Sequence, residues 1–368
     1  MIKSTFGGRI LRNLRLDSLR GIAALCVLIH HALHISNSGL VDRVLSPPLS
    51  TLKSGELWER LVLSIVNGGM AVYIFFILSG AVLMASLTRE EQIGPAAMAR
   101  FTIRRVLRIY PAMIVAVVVF GAASHMSLRD IAENSLLLSH KVNGGTWTLQ
   151  TEMLMIPFIL LVAWFWSLVG TLALVAFLFW AETNLWTGAP FAADLLNVAL
   201  PAFALGMLIP SQITKDAFNK LPAQSYAVFL AGMVLARFYY PIGSTPGVIV
   251  ILGLAFGAVA SLYHCREQKH PFDHAALTFL GRISYSLYLW HVMVIWWPFW
   301  LYAFAFGREN VSEHYLFFGL AYAALATAIT VPIAALSEKY IERPFIRMGS
   351  NLFTGSRAAT RARQEATG

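Results

Sequence analysis

Charge is what this chain has least of. Asp, Glu, Lys and Arg make up 13% of its 368 residues, against about 25% in ordinary soluble domains. With 57% apolar residues, there is too little polar surface to cover a water-soluble fold. That excludes the two or three soluble domains such a length would otherwise accommodate. Cysteine is equally scarce: Cys26 lies in an apolar run and Cys265 in a basic loop, which gives neither a disulfide framework nor paired thiolate ligands. The chain has no Gly-Lys-Ser/Thr phosphate loop, no Gly-x-Ser-x-Gly elbow, no fixed-period repeat and no long Pro/Gly/Ser linker. His264, His270 and His274 lie close in sequence, but no cysteine or carboxylate set completes a zinc site, and no metal is expected.

What is present are long apolar runs. A helix that crosses a bilayer needs about 20 mostly apolar residues. Ten candidate spans fall at 19–36, 61–87, 109–123, 153–168, 169–182, 195–209, 226–240, 247–263, 280–304 and 315–337. The fourth and fifth read equally as one long tilted helix. The expected fold is an all-α, polytopic membrane bundle of about ten transmembrane helices. The first apolar stretch is interrupted by His30, His31 and His34 without a clean small-residue cleavage site, so it is read as a retained span and not a signal peptide.

The net charge of +9 does not point to nucleic acid, because the basic residues sit between apolar runs. Their placement sets orientation instead. With the amino terminus inside and ten spans, inside segments hold 20 of the 28 Lys and Arg and outside loops hold six, which places both termini in the cytoplasm. Residues 1–348 read as one membrane domain and 349–368 as a short, basic, disordered cytoplasmic tail.

Ionisable groups inside spans are costly and mark function. In the first span, Arg20 stands at the cytoplasmic mouth and His31 near mid-membrane. Eleven residues bring them within roughly 20° of one face, about 16 Å apart along the axis. Asp17, one turn before Arg20, is placed to hold its guanidinium. The plainer alternative for His31 is helix packing. Gly68, Gly69, Ser79 and Gly80 in the second span either allow close helix packing or bare the backbone to a substrate. In the second cytoplasmic loop, Arg105 and Arg108 lie one turn apart. They either set topology or present paired guanidiniums to a phosphorylated ligand. On the outer side, Trp147 is an interfacial aromatic, and Glu152 at the top of the fourth span is suited to orienting a sugar hydroxyl or an imidazole. Ser284, Tyr288 and His291 share a helical stripe at one-turn spacing. His125 and Asp130 form a His-x4-Asp pattern without the flanking residues of glycerolipid acyltransferases, and carry little weight.

Six segments, in order, resemble the acyltransferase-3 family of integral-membrane acyltransferases: Leu16-Asp17-Ser18-Leu19-Arg20-Gly21 with His31; Phe75 to Gly80; Arg105 with Arg108-Ile109-Tyr110-Pro111; Trp147-Thr148-Leu149 with Glu152; Ser284 to His291; and Glu342-Arg343-Pro344. Thr148 replaces a common Ser and Ala81 a common aromatic, both expected to lie away from the chemistry. The resemblance implies transfer of an acyl group, most often acetyl from acetyl-CoA as co-substrate, to a hydroxyl of a carbohydrate such as a cell-surface polysaccharide or lipid-linked sugar. It also implies a bacterial inner membrane. No hydrolase-like domain follows in the sequence, so the membrane part is expected to do the whole reaction or hand its product on. On this reading Arg20, Arg105 and Arg108 meet the cytoplasmic donor, His31 is the general base or a transient acyl carrier, and Glu152 assists. Asp17, Gly68, Gly69, Ser79, Gly80, Trp147, Tyr288 and His291 bind substrate or support the site. A proton-coupled transporter or flippase using His31 and Glu152 is the alternative.

Overall fold

The computed structural model describes residues 14–90, 92–187, 196–267 and 269–352. Among them there are helices and turns and no strand. The main helices, in order, are α1 (Leu14–Ser36), α2 (Ser54–Ile65), α3 (Gly68–Leu87), α4 (Pro95–Ala123), α5 (Leu128–Ser135), α6 (Trp147–Val169), α7 (Thr171–Thr187) and α8 (Ala199–Leu208). They continue with α9 (Gln212–Phe218), α10 (Ser225–Tyr239), α11 (Thr245–His264), α12 (Ala275–Trp296), α13 (Phe299–Phe306), α14 (Arg308–Glu313), α15 (Tyr315–Ser337) and α16 (Arg343–Asn351). Within the described residues, each of the ten expected spans falls mostly on helix. By length and composition, however, six helices are able to cross a membrane, or seven when α12 and α13, bent by 44°, are taken as one. The shortfall lies in α7, α8 and α10, which have 17, 10 and 15 residues.

Residues 153–182 form two helices. Gly170, at φ +63°, ends α6 in a conformation that a side chain disfavours. The expected tail begins late: Gly349 to Asn351 belong to α16 and Gly349 rests against Leu107 of α4. Residues 353–368, like the basic residues of 1–13 used for orientation, lie outside the described residues.

Two glycine contacts set the bundle. Gly80 of α3 meets α8, where a Cβ on Gly206 would stand 2.2 Å from the Ile77 carbonyl oxygen. Gly21 of α1 meets α12, where a Cβ on Gly281 would stand 2.3 Å from the Asp17 carbonyl. Only bare backbone allows such approach, the way small residues join helices in lipid. The Gly80 contact is therefore a packing device and not an opening for substrate. The amino-terminal start of α1 is tied down as well. Arg15 donates to Asp273 at 3.0 Å and to the Cys265 carbonyl at 3.1 Å, and Ser18 Oγ donates to the Phe272 carbonyl at 2.6 Å.

Arg60, expected in an outer loop, is completely buried in α2. It donates to the carbonyls of Phe238 and Pro47 at 2.6 Å and of Val44 at 3.1 Å. Its long side chain thereby satisfies carbonyls at the end of α10 that have no helical partner.

Candidate active site

The helices line a cavity that opens to solvent. Five of them line it. Arg20 comes from α1; Phe75, Phe76, Ser79 and Val82 from α3; Arg105, Arg108 and Ile109 from α4; Thr148, Leu149 and Glu152 from α6; Ser284, Tyr285 and Tyr288 from α12.

Three expectations change here. The apolar run that starts at Ile109 predicts a loop for Arg105 and Arg108. The helix itself starts at Pro95, so about 15 Å of α4 precedes Arg105 at 1.5 Å per residue. Glu152 was placed at the outer edge, yet its carboxylate pairs with Arg105 at 3.2 Å. An arginine from one end and a glutamate from the other thus meet inside the bundle, where each neutralises a charge the other would strand. Thr148, set aside as a neutral departure, is hydrogen-bonded to the Tyr288 hydroxyl at 3.0 Å.

The arginines are not equivalent. Asp17 holds Arg20 at 3.0 Å, as the one-turn spacing predicts. Glu152 holds Arg105. Arg108 lines the cavity and has no carboxylate within ion-pair distance among the described residues. The cavity therefore sets one cation without a carboxylate partner in a lining that is more apolar than polar, and that lining includes Phe75 and Tyr288, whose rings meet edge to face at 5.6 Å.

His31 does not line this basin. Tyr288 lines it, His291 stands one turn further along α12, and the His291 ring stacks on His31 with centroids 5.4 Å apart and planes 28° apart. Tyr288 and His291 are themselves 5.3 Å apart. The expected stripe is thus split: Ser284 and Tyr288 face the cavity, and His291 lies behind them, almost fully buried. His30, whose ring meets that of His31 edge-on at 5.9 Å, also packs on Gly68. Gly69 adjoins the Asn67 side chain, which caps α3 by accepting from the Met70 amide at 3.0 Å. Both glycines therefore serve the start of α3. Trp147 packs edge-on against Phe76 at 6.0 Å and does not reach the cavity.

Two residues escaped the sequence reading. Tyr285 lines the cavity and donates to the Ile109 carbonyl at 2.5 Å, joining α12 to α4. Glu342, on the π-helical turn Glu338–Glu342, is buried and accepts from Ser286 at 3.2 Å. The Glu-Arg-Pro segment marked that position without saying which helix it would meet.

A family model described as an acyltransferase domain matches residues 13–337. The chain belongs to the acyltransferase-3 family. For a member of this family, the five-helix cavity and the paired histidines beyond it are the candidate active site. Relatives from Staphylococcus aureus strains COL, MSSA476 and MRSA252, provisionally named O-acetyltransferases, are 22% identical over 91% of this chain. The chain spans 57% of their length. No solved structure matches it. Family and apolar helices together make this an integral-membrane member of the acyltransferase-3 family.

Proposed function

We propose that the chain transfers an acetyl group from cytoplasmic acetyl-CoA to a hydroxyl of a carbohydrate acceptor, in a bacterial inner membrane. The observation that carries this reading is Arg108, a cation with no carboxylate partner among the described residues, lining a cavity that Tyr288 also lines, one turn before His291 of the His31–His291 pair. Guanidiniums suit phosphate oxygens, so Arg108, with Arg20 and Arg105 held ready by their carboxylates, would take the phosphate end of the donor. The thioester arm would then lie along Phe75 and Tyr288, with the thioester near His31.

In the transfer step the acceptor oxygen attacks the thioester carbonyl carbon. A C–O bond forms, the C–S bond breaks, and His31 takes the hydroxyl proton and returns it to the departing thiolate. General-base assistance of this kind contributes about 10²–10⁴-fold. Glu152 has its carboxylate on Arg105, which favours a part in holding the donor site over direct partnership with His31.

The test is mass spectrometry of envelope glycans from three isogenic hosts: intact, deleted, and carrying His31→Ala at matched protein level. An acetyl mass present only in the intact strain supports the reading. No glycan difference, with proton-dependent solute uptake lost on deletion, would replace it with transport.

A further inference from the structure

The one-turn stripe from Ser284 to His291 does not explain why His291 leaves the cavity and lies against another imidazole. Its surroundings do. The Nδ1 atom of His291 is 2.5 Å from the Tyr288 carbonyl oxygen. A carbonyl only accepts, so Nδ1 carries the hydrogen and the neutral ring is held in one tautomer. The other nitrogen, Nε2, is buried without a hydrogen-bond partner among the described residues. A ring so placed has neither access to substrate nor a proton network to join. What it offers His31 is a fixed π face, 5.4 Å away and nearly parallel.

The approach is built in by the helix pair. Gly21 and Gly281 touch backbone to backbone. His31 and His291 each follow ten residues later. Both contacts run in the same direction along α1 and α12, so the helices are parallel and keep one register from the glycines to the histidines. His31 itself is only half-buried, with its ring between His291 on one side and His30, edge-on at 5.9 Å, on another.

We infer that His291 is a positioning residue for His31: its locked, neutral ring holds the His31 imidazole in place and its π face supports the imidazolium formed when His31 takes the acceptor proton. This rests on the proposed transfer reaction. A cation within about 6 Å of an aromatic centroid is attracted to the ring face, by an amount that grows as water is excluded. The support exists only while His31 is charged, so it acts on the transfer step and not on donor binding.

The experiment compares the purified full chain with His291→Phe and His291→Leu, using acetyl-CoA as donor and the host envelope fraction as acceptor, and following released coenzyme A thiol. Phenylalanine keeps a flat π face and removes both nitrogens; leucine fills similar space without a ring. The expected result is a maximal rate for His291→Phe within about threefold of the intact chain and about a tenfold loss for His291→Leu. The KM for acetyl-CoA should be unchanged in both. Equal losses in the two variants, with thermal stability retained, would overturn the inference, because the nitrogens and not the ring face would then matter. So would full activity in His291→Leu, or a change confined to KM. If the intact chain releases no acetyl-dependent thiol, the proposed reaction itself fails and the inference falls with it. Should His291→Leu not fold, the His291→Phe rate alone decides.

Discussion

His31 and His291 stack at 5.4 Å although 260 residues separate them in the chain. The contact follows from two glycines ten residues upstream of each, which let α1 and α12 touch along their backbones. The geometry of the histidine pair and helix packing are therefore one problem here, and several variants should separate them.

His31→Ala should lower transfer by about 10²–10⁴-fold while leaving acetyl-CoA affinity within about twofold, since no cavity contact to the donor's phosphate end is lost. Equilibrium binding beside a single-turnover rate measures both. A loss of affinity equal to the loss of rate would place His31 in donor binding instead.

Arg108→Ala should weaken acetyl-CoA binding by about 10–100-fold, the loss of one or two charge-assisted hydrogen bonds, with little change in melting temperature, because no carboxylate is left unpaired. Arg105→Ala should do the reverse first. It strands Glu152 in the bundle and should cost about 2 kcal/mol of stability, part of which Arg105→Ala with Glu152→Gln recovers. Thermal melts of the two single variants and the double variant in detergent read this coupling.

Gly281→Ala should push α12 from α1, since its Cβ would stand 2.3 Å from the Asp17 carbonyl oxygen. About 1–3 kcal/mol of destabilisation is expected from such overpacking. Transfer should fall with it, because the same shift separates His31 from His291. Gly94→Ala, where a Cβ meets nothing within 4 Å, is the control and should leave both readouts unchanged.

Acid should loosen the amino-terminal start of α1. The hydrogen bond from Arg15 holds the Asp273 carboxyl below its ordinary 3.8. A carboxyl whose value is lower in the folded chain adds stability above its unfolded value, and that stability is lost as pH falls through the folded one. Melting temperature should therefore decline between about pH 5 and pH 2, and Asp273→Asn should flatten that decline while lowering stability at neutral pH.

Composition and periodicity by themselves determined that this is a helical membrane protein and where the helices lie, because a bilayer demands long apolar runs with internal hydrogen bonding. Spacing along one helix was also legible: Arg20 with Asp17 is a one-turn pair, and the structure has it at 3.0 Å. Where α4 begins was not, because Arg100 to Arg108 read the same in a loop as on a helix that carries them inward. Nor was the pairing of Arg105 with Glu152, since each looked like the charged end of a separate span. The repeated Gly-then-His spacing of ten residues in α1 and α12 was visible in the chain, but nothing local says that those two helices lie side by side and parallel. Which helices touch is decided by backbone approach at Gly21 and Gly281, a contact between segments far apart in sequence. Only the tertiary structure could choose it, and that choice puts His291 behind His31.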